Sequence, residues 1–364
     1  MSILIIITLI LIVLSFISFV NFLWAPVLSI KEKVIKDPEL ISILIPARNE
    51  EHNIAKCLDS VLKQDYPLKE IIVLDDFSSD NTFELAQSFS NCGVKVIKGK
   101  ELPTGWIGKN WACYQLSKEA TGNYLLFIDA DVYLNPDTIS SAYKELIKSD
   151  LALLSIFPTQ ILKSFGEYLV VPLMNWILLN FLPLPLVYGL KIESFVAANG
   201  QFMLWNKKYY KLLGGHESVK DKVVEDMELA RKCKKEKLNV KTFLGGELVF
   251  CKMYNSFSDA VKGFSKNFFA GFNMNPVLFV ILIAGLFIIF IYPFYFLPYS
   301  LLSLIPAGLI LLSRTFISIR SKQNILLNIL LHPLQMIFMF IIGVQSVIQT
   351  QTNSLKWKDR KVFN

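Results

Sequence analysis

Charged residues are scarce in this chain, and so are the residue types that dominate disordered and fibrous proteins. Only 18% of the 364 residues are charged, whereas 53% are hydrophobic. Soluble domains average about 25% charged residues, so a chain this apolar is not soluble throughout its length. The 17 glycines and 15 prolines, set against 28 phenylalanines, exclude collagen-like repeats and long disordered tracts. The length predicts two domains, or one domain with large additions.

Cysteine is also rare, and its spacing argues against two kinds of site. The five cysteines are odd in number and never form a C-x-x-C pair. A disulfide framework or a structural zinc site is therefore not expected, and the pattern favours reduced thiols in the cytosol. The formal charge is +7, but the basic residues do not form one continuous stripe. Nucleic acid is therefore not expected as a partner.

Long apolar runs lie at both ends of the chain and predict attachment to a membrane. Residues 3–24 form an uncharged run of the length that spans a bilayer. The run lacks the basic start and small-residue cleavage site of a signal peptide, so residues 1–36 are predicted to be a retained anchor with a basic flank. Lys31, Lys33 and Lys36 indicate that the next domain faces the cytoplasm.

The C-terminal third contains further segments of membrane type. Phenylalanines spaced four residues apart predict an amphipathic interfacial helix at 256–275. Residues 276–350 predict three membrane segments, at 276–297, 299–312 and 325–348, followed by a basic tail at 351–364. Three full crossings would place that tail outside, against the positive-inside rule, so either one segment is re-entrant or the tail is an exception.

The region 37–255 has the mixed composition of a globular domain. Short β-rich runs alternate in it with helical patterns, at 41–46, 70–75, 95–98 and 124–129. Nearly continuous apolar strands that alternate with helices predict an α/β fold with a mostly parallel central sheet. Residues 165–190 are apolar but contain Pro172, Pro183 and Pro185, which favours an interfacial or acceptor-lining segment over a spanning helix.

Polar clusters follow three of the predicted strands. They are Pro46-Ala47-Arg48-Asn49-Glu50, Asp75-Asp76 with Ser78 and Asp80, and Asp129-Ala130-Asp131. In open parallel sheets the ligand crevice lies beyond the carboxyl ends of the strands, so these clusters are expected to face one pocket. Two carboxylates at alternate positions can hold a hard divalent ion that also binds a diphosphate. Taken singly, each acidic pair is more often a solvated turn or a helix cap.

The order of these clusters resembles the nucleotide-sugar-binding half of the inverting GT-A glycosyltransferases of family 2. Further motifs extend the resemblance to the membrane-bound branch that includes 4,4'-diaponeurosporenoate and hopanoid-associated glycosyltransferases. They are Thr104-Gly-Trp-Ile-Gly-Lys-Asn-Trp111, Asn199-Gly-Gln-Phe202, Gly214-Gly-His216 and Val224-Glu-Asp-Met-Glu-Leu229. The resemblance covers residues 41–251 and implies a GT-A fold, glycosyl transfer and a divalent metal cofactor, Mg²⁺ or Mn²⁺.

For the sugar donor, the resemblance implies a set of contacts along the sheet edge. The implied contacts are Pro46, Ala47, Glu50, Asp75, Asp76, Lys109, Asp129, Asn199, Gln201 and Glu225. The 46–50 cluster would lie against the nucleotide, the 75–76 pair would hold its base or ribose, and Lys109 would position the phosphates. A structural role explains Asn199 and Gln201 equally well, namely a turn whose polar groups hydrogen-bond to one another. A turn that packs over a strand explains the motif around Lys109 nearly as well as a contact with the donor.

For the reaction itself, the resemblance implies that Asp226 is the general base and that Asp131 holds the metal ion. An inverting transfer is one in-line displacement, so a single base must take the acceptor's proton while a cation stabilises the departing diphosphate. His216 is a further candidate for the metal or the diphosphate, but a structural hydrogen bond fits it equally well. Without the other motifs of the family, Glu225 and Asp226 would be interpreted as acidic residues in the first turn of a helix, where they interact favourably with the helix dipole.

One departure from the superfamily limits the expected product. Processive synthases carry Q-x-x-R-W, which the tail Gln351-Thr-Asn-Ser-Leu-Lys-Trp357 does not reproduce. The leading hypothesis is a multi-pass membrane enzyme that transfers one sugar from a nucleotide sugar, UDP-sugar favoured, to a carotenoid, hopanoid or glycerolipid. The rivals are a polyprenyl-phosphate glycosyltransferase and, from another class, an inactive nucleotide-binding membrane scaffold. No obligatory protein partner is inferred.

Overall fold

The computed structural model describes residues 2–30, 37–254, 256–272, 274–352, 354, 356–357 and 360–361. The chain forms two compact units. One unit comprises Pro26–Ile161, Leu186–Lys252 and Lys356–Asn364, and the other comprises Met1–Ala25, Leu162–Pro185 and Met253–Leu355. The predicted basic flank of Lys31, Lys33 and Lys36 lies outside the described residues, as do the side chains after residue 354.

Among the described residues, one unit contains helices and no strands, and the other combines helices with strands. The described α-helices are α1 (Ser2–Trp24), α2 (Ile54–Leu62), α3 (Thr82–Gln87), α4 (Gly108–Glu119), α5 (Thr138–Lys148), α6 (Phe165–Val170), α7 (Pro172–Phe181), α8 (Pro185–Gly189), α9 (Lys207–Leu212), α10 (Glu225–Lys235), α11 (Phe257–Phe272), α12 (Pro276–Phe296), α13 (Leu304–Arg320), α14 (Ile325–Leu330) and α15 (His332–Gln351). Short 3₁₀ turns lie at Ser90–Cys92, Gly215–Val219 and Leu301–Ser303.

The strands form three sheets. The described strands are β1 (Ile41–Ala47), β2 (Lys69–Asp75), β3 (Val94–Lys98), β4 (Tyr124–Ile128), β5 (Val132–Leu134), β6 (Leu153–Phe157), β7 (Thr159–Gln160), β8 (Phe202–Asn206), β9 (Val240–Leu244), β10 (Val249–Cys251), β11 (Lys356–Trp357) and β12 (Arg360–Lys361). The largest sheet has the order β3-β2-β1-β4-β8-β6-β9, and a smaller one has the order β5-β10-β7.

The largest sheet is mostly parallel, as the sequence predicts. Strands β1 to β4 run parallel to their neighbours among themselves, and so do β6 and β9. Only β8 runs antiparallel, between β4 and β6. The predicted strands agree with β1 to β4 to within a residue at each end. Strand β4 is buried at every position, as expected for apolar runs that are covered on both faces.

The direction of β8 brings a distant part of the chain to the functional edge of the sheet. The carboxyl ends of β1, β2 and β4 lie at one edge because these strands are parallel. Since β8 runs the other way, its amino end lies at that edge, with Phe202 paired to Ile128. Residues 199–201 therefore meet the start of the Asp129-x-Asp131 motif, and the Asp129 N–H donates to the Gln201 carbonyl at 3.3 Å.

The helical unit contains the segments of membrane type. Among the described residues, four helices are long and apolar enough to cross a membrane: Ile3–Trp24, Pro276–Phe296, Leu301–Arg320 and His332–Gln351. Helix α1 packs along α13, and α11 packs along α15. Close approach of α6 and α11 depends on a small residue, since a Cβ on Gly166 would lie 2.4 Å from the Phe257 Cβ.

Two apolar segments differ from their predicted extents. The segment predicted at 299–312 continues to Arg320 because Arg314, which interrupts the apolar run, is buried with 1% exposure. The segment predicted at 165–190 forms α6, α7 and α8, and Pro172 and Pro185 each begin a helix instead of breaking one. Residues 162–185 belong to the helical unit, although the predicted catalytic domain of 37–255 included them.

Candidate active site

The loops that follow β1 and β2 are hydrogen-bonded to each other at the carboxyl edge of the sheet. Ala47 at the end of β1 pairs with Asp75 at the end of β2. The Asp76 N–H donates to the Ala47 carbonyl at 2.8 Å, and the Glu50 N–H donates to the Thr82 hydroxyl at 2.7 Å. The predicted nucleotide contacts, Pro46, Ala47 and Glu50 with the 75–76 pair, therefore lie side by side.

The carboxylates of Asp75 and Asp76 are buried, with 6% and 2% exposure. Asp75 Oδ2 accepts the Ser78 N–H at 3.2 Å. Asp75 Oδ1 is buried and has no hydrogen-bond partner among the described residues. A buried acceptor without a donor lowers the stability of the fold. An N–H or hydroxyl group of a ligand would supply the missing donor, so this oxygen suits a binding site.

Lys109 forms ion pairs with one acidic residue after β4 and another at the start of α10. Its Nζ lies 2.9 Å from Asp129 Oδ1 and 3.3 Å from Glu225 Oε1. Burial by itself would lower the pKa of Lys109, but the charges of Asp129 and Glu225 outweigh burial and raise that pKa well above its ordinary value. Lys109 is therefore a fixed positive charge between two acidic groups that the sequence places almost 100 residues apart.

Asp226 lies in the first turn of α10, next to this ion pair. Its Oδ2 accepts the Gly200 N–H at 2.7 Å, and its Oδ1 accepts the Met227 N–H at 2.7 Å. Burial, and then the neighbouring Glu225 carboxylate, raise the pKa of Asp226 to about 7, although Lys109 and both N–H donors oppose the shift. A carboxylate with a pKa near neutrality has the basicity that general-base catalysis requires.

Gly200 is the point where the loop before β8 passes these charged groups. A Cβ at this position would lie 3.0 Å from Lys109 Nζ and 3.1 Å from Glu225 Oε1. A side chain would therefore press on the ion pair while its N–H is held by Asp226. The glycine lets the backbone approach the carboxylates closely enough to donate a hydrogen bond.

Asn199 and Gln201 flank Gly200 and are bonded to the protein. Asn199 Oδ1 accepts the Gln201 N–H at 2.9 Å, and the Asn199 N–H donates to the Ser155 hydroxyl at 2.8 Å. The Gln201 Nε2 donates to the Cys251 thiol at 2.9 Å. These contacts hold the turn in place, and the predicted contact of both side chains with a donor sugar stays a prediction.

Asp129 and Asp131 supply the carboxylate oxygens that Mg²⁺ or Mn²⁺ prefers. No group of three or more His, Cys, Asp and Glu side chains within the described ranges is arranged to hold a metal ion. Mg²⁺ in substrate-phosphate sites commonly uses only about one or two protein carboxylates, the phosphates and water completing its shell. The residues therefore fit an ion that binds together with a diphosphate.

His216 is buried beneath this site. Its Nδ1 shares a hydrogen bond of 2.7 Å with the Tyr210 hydroxyl, and its ring lies 4.8 Å from that of Phe127. Burial, and then the charge of Lys109, lower the pKa of His216 to about 3. The imidazole is therefore neutral at ordinary pH and has a structural partner at one nitrogen, while its predicted contact with metal or diphosphate stays a prediction.

Cys251 is a residue of the site that the sequence did not single out. It ends β10, and its thiol lies beside Asp131 and accepts the Gln201 hydrogen bond. Burial, and then Asp131, hold the pKa of this thiol well above its ordinary value, so it is not a nucleophile. The sequence shows Cys251 only as one of five cysteines, and nothing near it in the chain marks its contact with Asp131.

Comparison with known proteins assigns the chain to a family. Residues 42–199 match the family model for Glycosyl transferase family 2. The chain is 30% identical over 340 residues to the 4,4'-diaponeurosporenoate glycosyltransferase of Staphylococcus aureus strain USA300, which is 88% of each chain. The protein of that name in strain bovine RF122 is 30% identical over 241 residues, which are 64% of this chain and 61% of that one.

The fold has a counterpart among solved structures. The mannosyltransferase of Pyrobaculum calidifontis, solved in complex with GDP-Man and Mn²⁺, superposes with a TM-score of 0.50. The match covers 95% of this chain and 99% of the other, at 15% sequence identity. At that identity the likeness shows the fold alone, which is the predicted GT-A fold. The family match and the relative that is 30% identical over 88% of this chain together show that the chain belongs to Glycosyl transferase family 2 and is a glycosyltransferase.

Proposed function

We propose that this glycosyltransferase moves one sugar from a nucleotide sugar to a lipophilic acceptor in the membrane, with inversion and with Asp226 as the general base. The observation that carries the proposal is the environment of Asp226. Burial raises its pKa to about 7, and the Gly200 N–H fixes its Oδ2 at 2.7 Å. A base of this pKa, held rigidly beside the end of the sheet, suits removal of a proton from an acceptor hydroxyl.

The donor is held by the carboxyl edge of the sheet. Asp75 Oδ1, which has no hydrogen-bond partner among the described residues, would accept a hydrogen bond from the base or ribose, and Lys109 would supply a positive charge for the phosphates. We favour a UDP-sugar. Asp131, with Asp129, would hold a divalent ion, which would supply positive charge to the departing diphosphate. Phosphate oxygens that bind Lys109 would compete with Asp129 and Glu225, which now neutralise it.

Two observations support a lipophilic acceptor and a membrane location. The relative that aligns with 88% of this chain is named for its action on 4,4'-diaponeurosporenoate. Four described helices are apolar and long enough to cross a bilayer. Nucleotide sugars are used on the cytoplasmic side in this proposal, because Lys31, Lys33 and Lys36 directly follow the first apolar run.

Replacement of Asp226 by asparagine tests the assignment of the base. Asp226→Asn keeps the size of the side chain but cannot accept a proton, so transfer to a hydroxyl acceptor should fall by about 10²–10⁴-fold. Membranes that carry the variant are incubated with labelled nucleotide sugars, and labelled lipid is extracted. Binding of the nucleotide sugar, measured separately, should stay close to that of the wild type.

The matched control is Asp221→Asn, which removes an exposed carboxylate bonded to Lys222 in the same unit. It should leave transfer unchanged. Near-normal transfer by Asp226→Asn with weakened donor binding would assign Asp226 to binding instead. An acceptor that is already an ionised phosphate needs no base, so tolerance of Asp226→Asn with a lipid product that resists mild alkali but is cleaved by mild acid would favour polyprenyl-phosphate glycosyl transfer.

Replacement of Asp131 by alanine tests the metal assignment. If Asp131 holds the ion that binds the diphosphate, Asp131→Ala should abolish the part of nucleotide-sugar binding that depends on Mg²⁺ or Mn²⁺. A titration of the purified protein with nucleotide sugar, with and without each metal, measures this difference. Asp137→Ala is the control, because Asp137 precedes α5 without a side-chain capping bond. Metal-dependent binding that survives in Asp131→Ala would refute the assignment.

A further inference from the structure

A buried asparagine of α4 holds the turn that leads into α10. Asn110 lies in the first turn of α4 and is fully buried. Its Nδ2 donates to the Val219 carbonyl at 2.8 Å and to the Lys222 carbonyl at 2.9 Å, and the Lys220 carbonyl lies at 3.3 Å. One side-chain amide therefore serves three backbone acceptors of residues 219–222, the 219–222 turn.

Only a hydrogen-bond donor fits at this position of α4. The partners of Asn110 Nδ2 are all carbonyl oxygens, and an amide nitrogen has two hydrogens to offer them. An apolar side chain would leave these buried acceptors unpaired. Asn110 Oδ1 is buried and has no hydrogen-bond partner among the described residues. The side chain is therefore held in place through its nitrogen alone.

The side chains of the 219–222 turn do little to anchor it. Lys220, Asp221 and Lys222 are exposed, and the ion pair between the last two lies within the turn. Within the described residues, the hydrogen bonds that join the turn to another element come from Asn110 and from the Ile107 N–H, which donates to the Lys220 carbonyl at 2.8 Å. The start of α4 therefore fixes the backbone of the turn.

The 219–222 turn leads directly to the charged residues of the site. Glu225 and Asp226 begin α10 shortly after it. Glu225 Oε1 lies 3.3 Å from the Nζ of Lys109, which precedes Asn110 in the chain. Helix α4 thus contacts the approach to α10 twice, through hydrogen bonds to the turn and through an ion pair with the first residue of the helix. A shift of the turn would move both carboxylates relative to Lys109.

We propose that Asn110 is a positioning residue for sugar transfer, because it holds the 219–222 turn where Asp226 can act as the base beside Lys109. Asn110 touches neither donor nor acceptor in this proposal, and its effect passes through Asp226. This role of Asn110 rests on the proposed function, in which Asp226 is the base. Misplacement of a reacting group by about 1 Å can cost about 10²-fold in rate, so a residue that only positions the base can have a large effect.

The test is a double-mutant cycle with the full-length protein in membranes. Asn110→Leu is close in size and removes both donors, so it should lower kcat for transfer by about tenfold to a hundredfold. Binding of the nucleotide sugar should stay close to that of the wild type, because the proposed contacts after β1 and β2 are unchanged. In the Asp226→Asn background, Asn110→Leu should cause little further loss, since residues that act as a unit are not additive.

Gln64→Leu is the matched control. Gln64 is also a buried amide, and its Nε2 donates to the Ser60 carbonyl at 3.0 Å and to the Asn135 carbonyl at 2.8 Å. Gln64→Leu should lower the unfolding temperature as Asn110→Leu does, but kcat of the folded protein should not change. If Asn110→Leu fails to fold, Asn110→Ser, which keeps one donor, takes its place in the cycle with a smaller expected loss.

The outcomes separate the role of Asn110 from the role of Asp226. An unchanged kcat in Asn110→Leu, or equal losses from it in both backgrounds, would refute the role of Asn110 and leave Asp226 as the base. An equal loss of kcat in Gln64→Leu would reduce the effect to a general loss of structure and would also refute it. Near-normal transfer by Asp226→Asn would instead overturn the proposed function, whatever Asn110→Leu does.

Discussion

The titration of Asp226 gives the proposed reaction a defined pH dependence. Burial raises the pKa of this carboxyl to about 7, far above the ordinary value for aspartate. A base must be unprotonated, so kcat/KM should rise as the pH rises through about 7 and then reach a plateau. Below that value it should fall by about tenfold per pH unit. A profile that stays flat from pH 5 upward would contradict a base of this pKa.

Lys109 tunes the same carboxyl through its charge. Its positive charge lowers the pKa of Asp226 and partly offsets burial and Glu225. Lys109→Met should therefore move the midpoint of the kcat/KM profile to higher pH and also weaken donor binding. Lys222→Met is the control, because Lys222 is half exposed and pairs only with Asp221 in the described structure. An unchanged midpoint in Lys109→Met would show that Lys109 does not act on the base.

Asn21 of helix α1 bonds to the last turn of α7 and to the segment that follows it. Asn21 Nδ2 donates to the Leu179 carbonyl at 2.7 Å and to the Leu182 carbonyl at 2.8 Å, and its Oδ1 accepts the Leu184 N–H at 2.8 Å. Asn21→Leu should lower the unfolding free energy by at least about 1–3 kcal/mol, because buried backbone groups lose their partners.

Thermal unfolding of the detergent-solubilised protein measures this loss. Thr8→Val on the same helix is the control, since the Thr8 hydroxyl donates only to Leu4, one turn earlier. It should change the midpoint little. Equal midpoints for Asn21→Leu and Thr8→Val would show that the asparagine does not stabilise the contact between α1 and the segment after α7.

The parts of the fold that local pattern encodes are predictable, and those that depend on distant contacts are not. Strands β1, β2 and β4 are largely buried on both faces, so their apolar runs mark them in the sequence. The entry of β8 between β4 and β6 has no local signal, because the apolar residues 202–205 fit several pairings. Helix α13 was predicted too short because Arg314 looks like an exposed residue until Trp176 and His332 surround it.

The same distinction holds in the site. Asp129, Asp131 and Asp226 were identified because each belongs to a motif whose order along the chain is informative. Their roles stay predictions. The contacts of Lys109 with Asp129 and Glu225, and of Cys251 with Gln201, join residues far apart in sequence. Only the packing of α4, α10 and β10 around the sheet edge determines those distances.

The placement of the whole chain in the membrane can be tested with a native thiol. Cys92 is exposed, whereas the other cysteines, Cys57, Cys113, Cys233 and Cys251, are buried. With the catalytic unit in the cytoplasm, a membrane-impermeant maleimide should not label Cys92 in intact cells and should label it after lysis. Cys92→Ser should remain unlabelled in both conditions. Labelling of Cys92 in intact cells would reverse the proposed orientation.

The close passage of Gly200 between Lys109 and Glu225 limits how this enzyme could evolve. Every coding change at this glycine adds at least one carbon, which would press on both partners of an ion pair. If this loop contacts the donor sugar as predicted, selection for another sugar would have to act at neighbouring positions. Asn199 and Gln201 are the nearest, and their side chains are bonded to each other and to Cys251. Lineages that change donor are thus expected to vary these three residues together around an unchanged glycine.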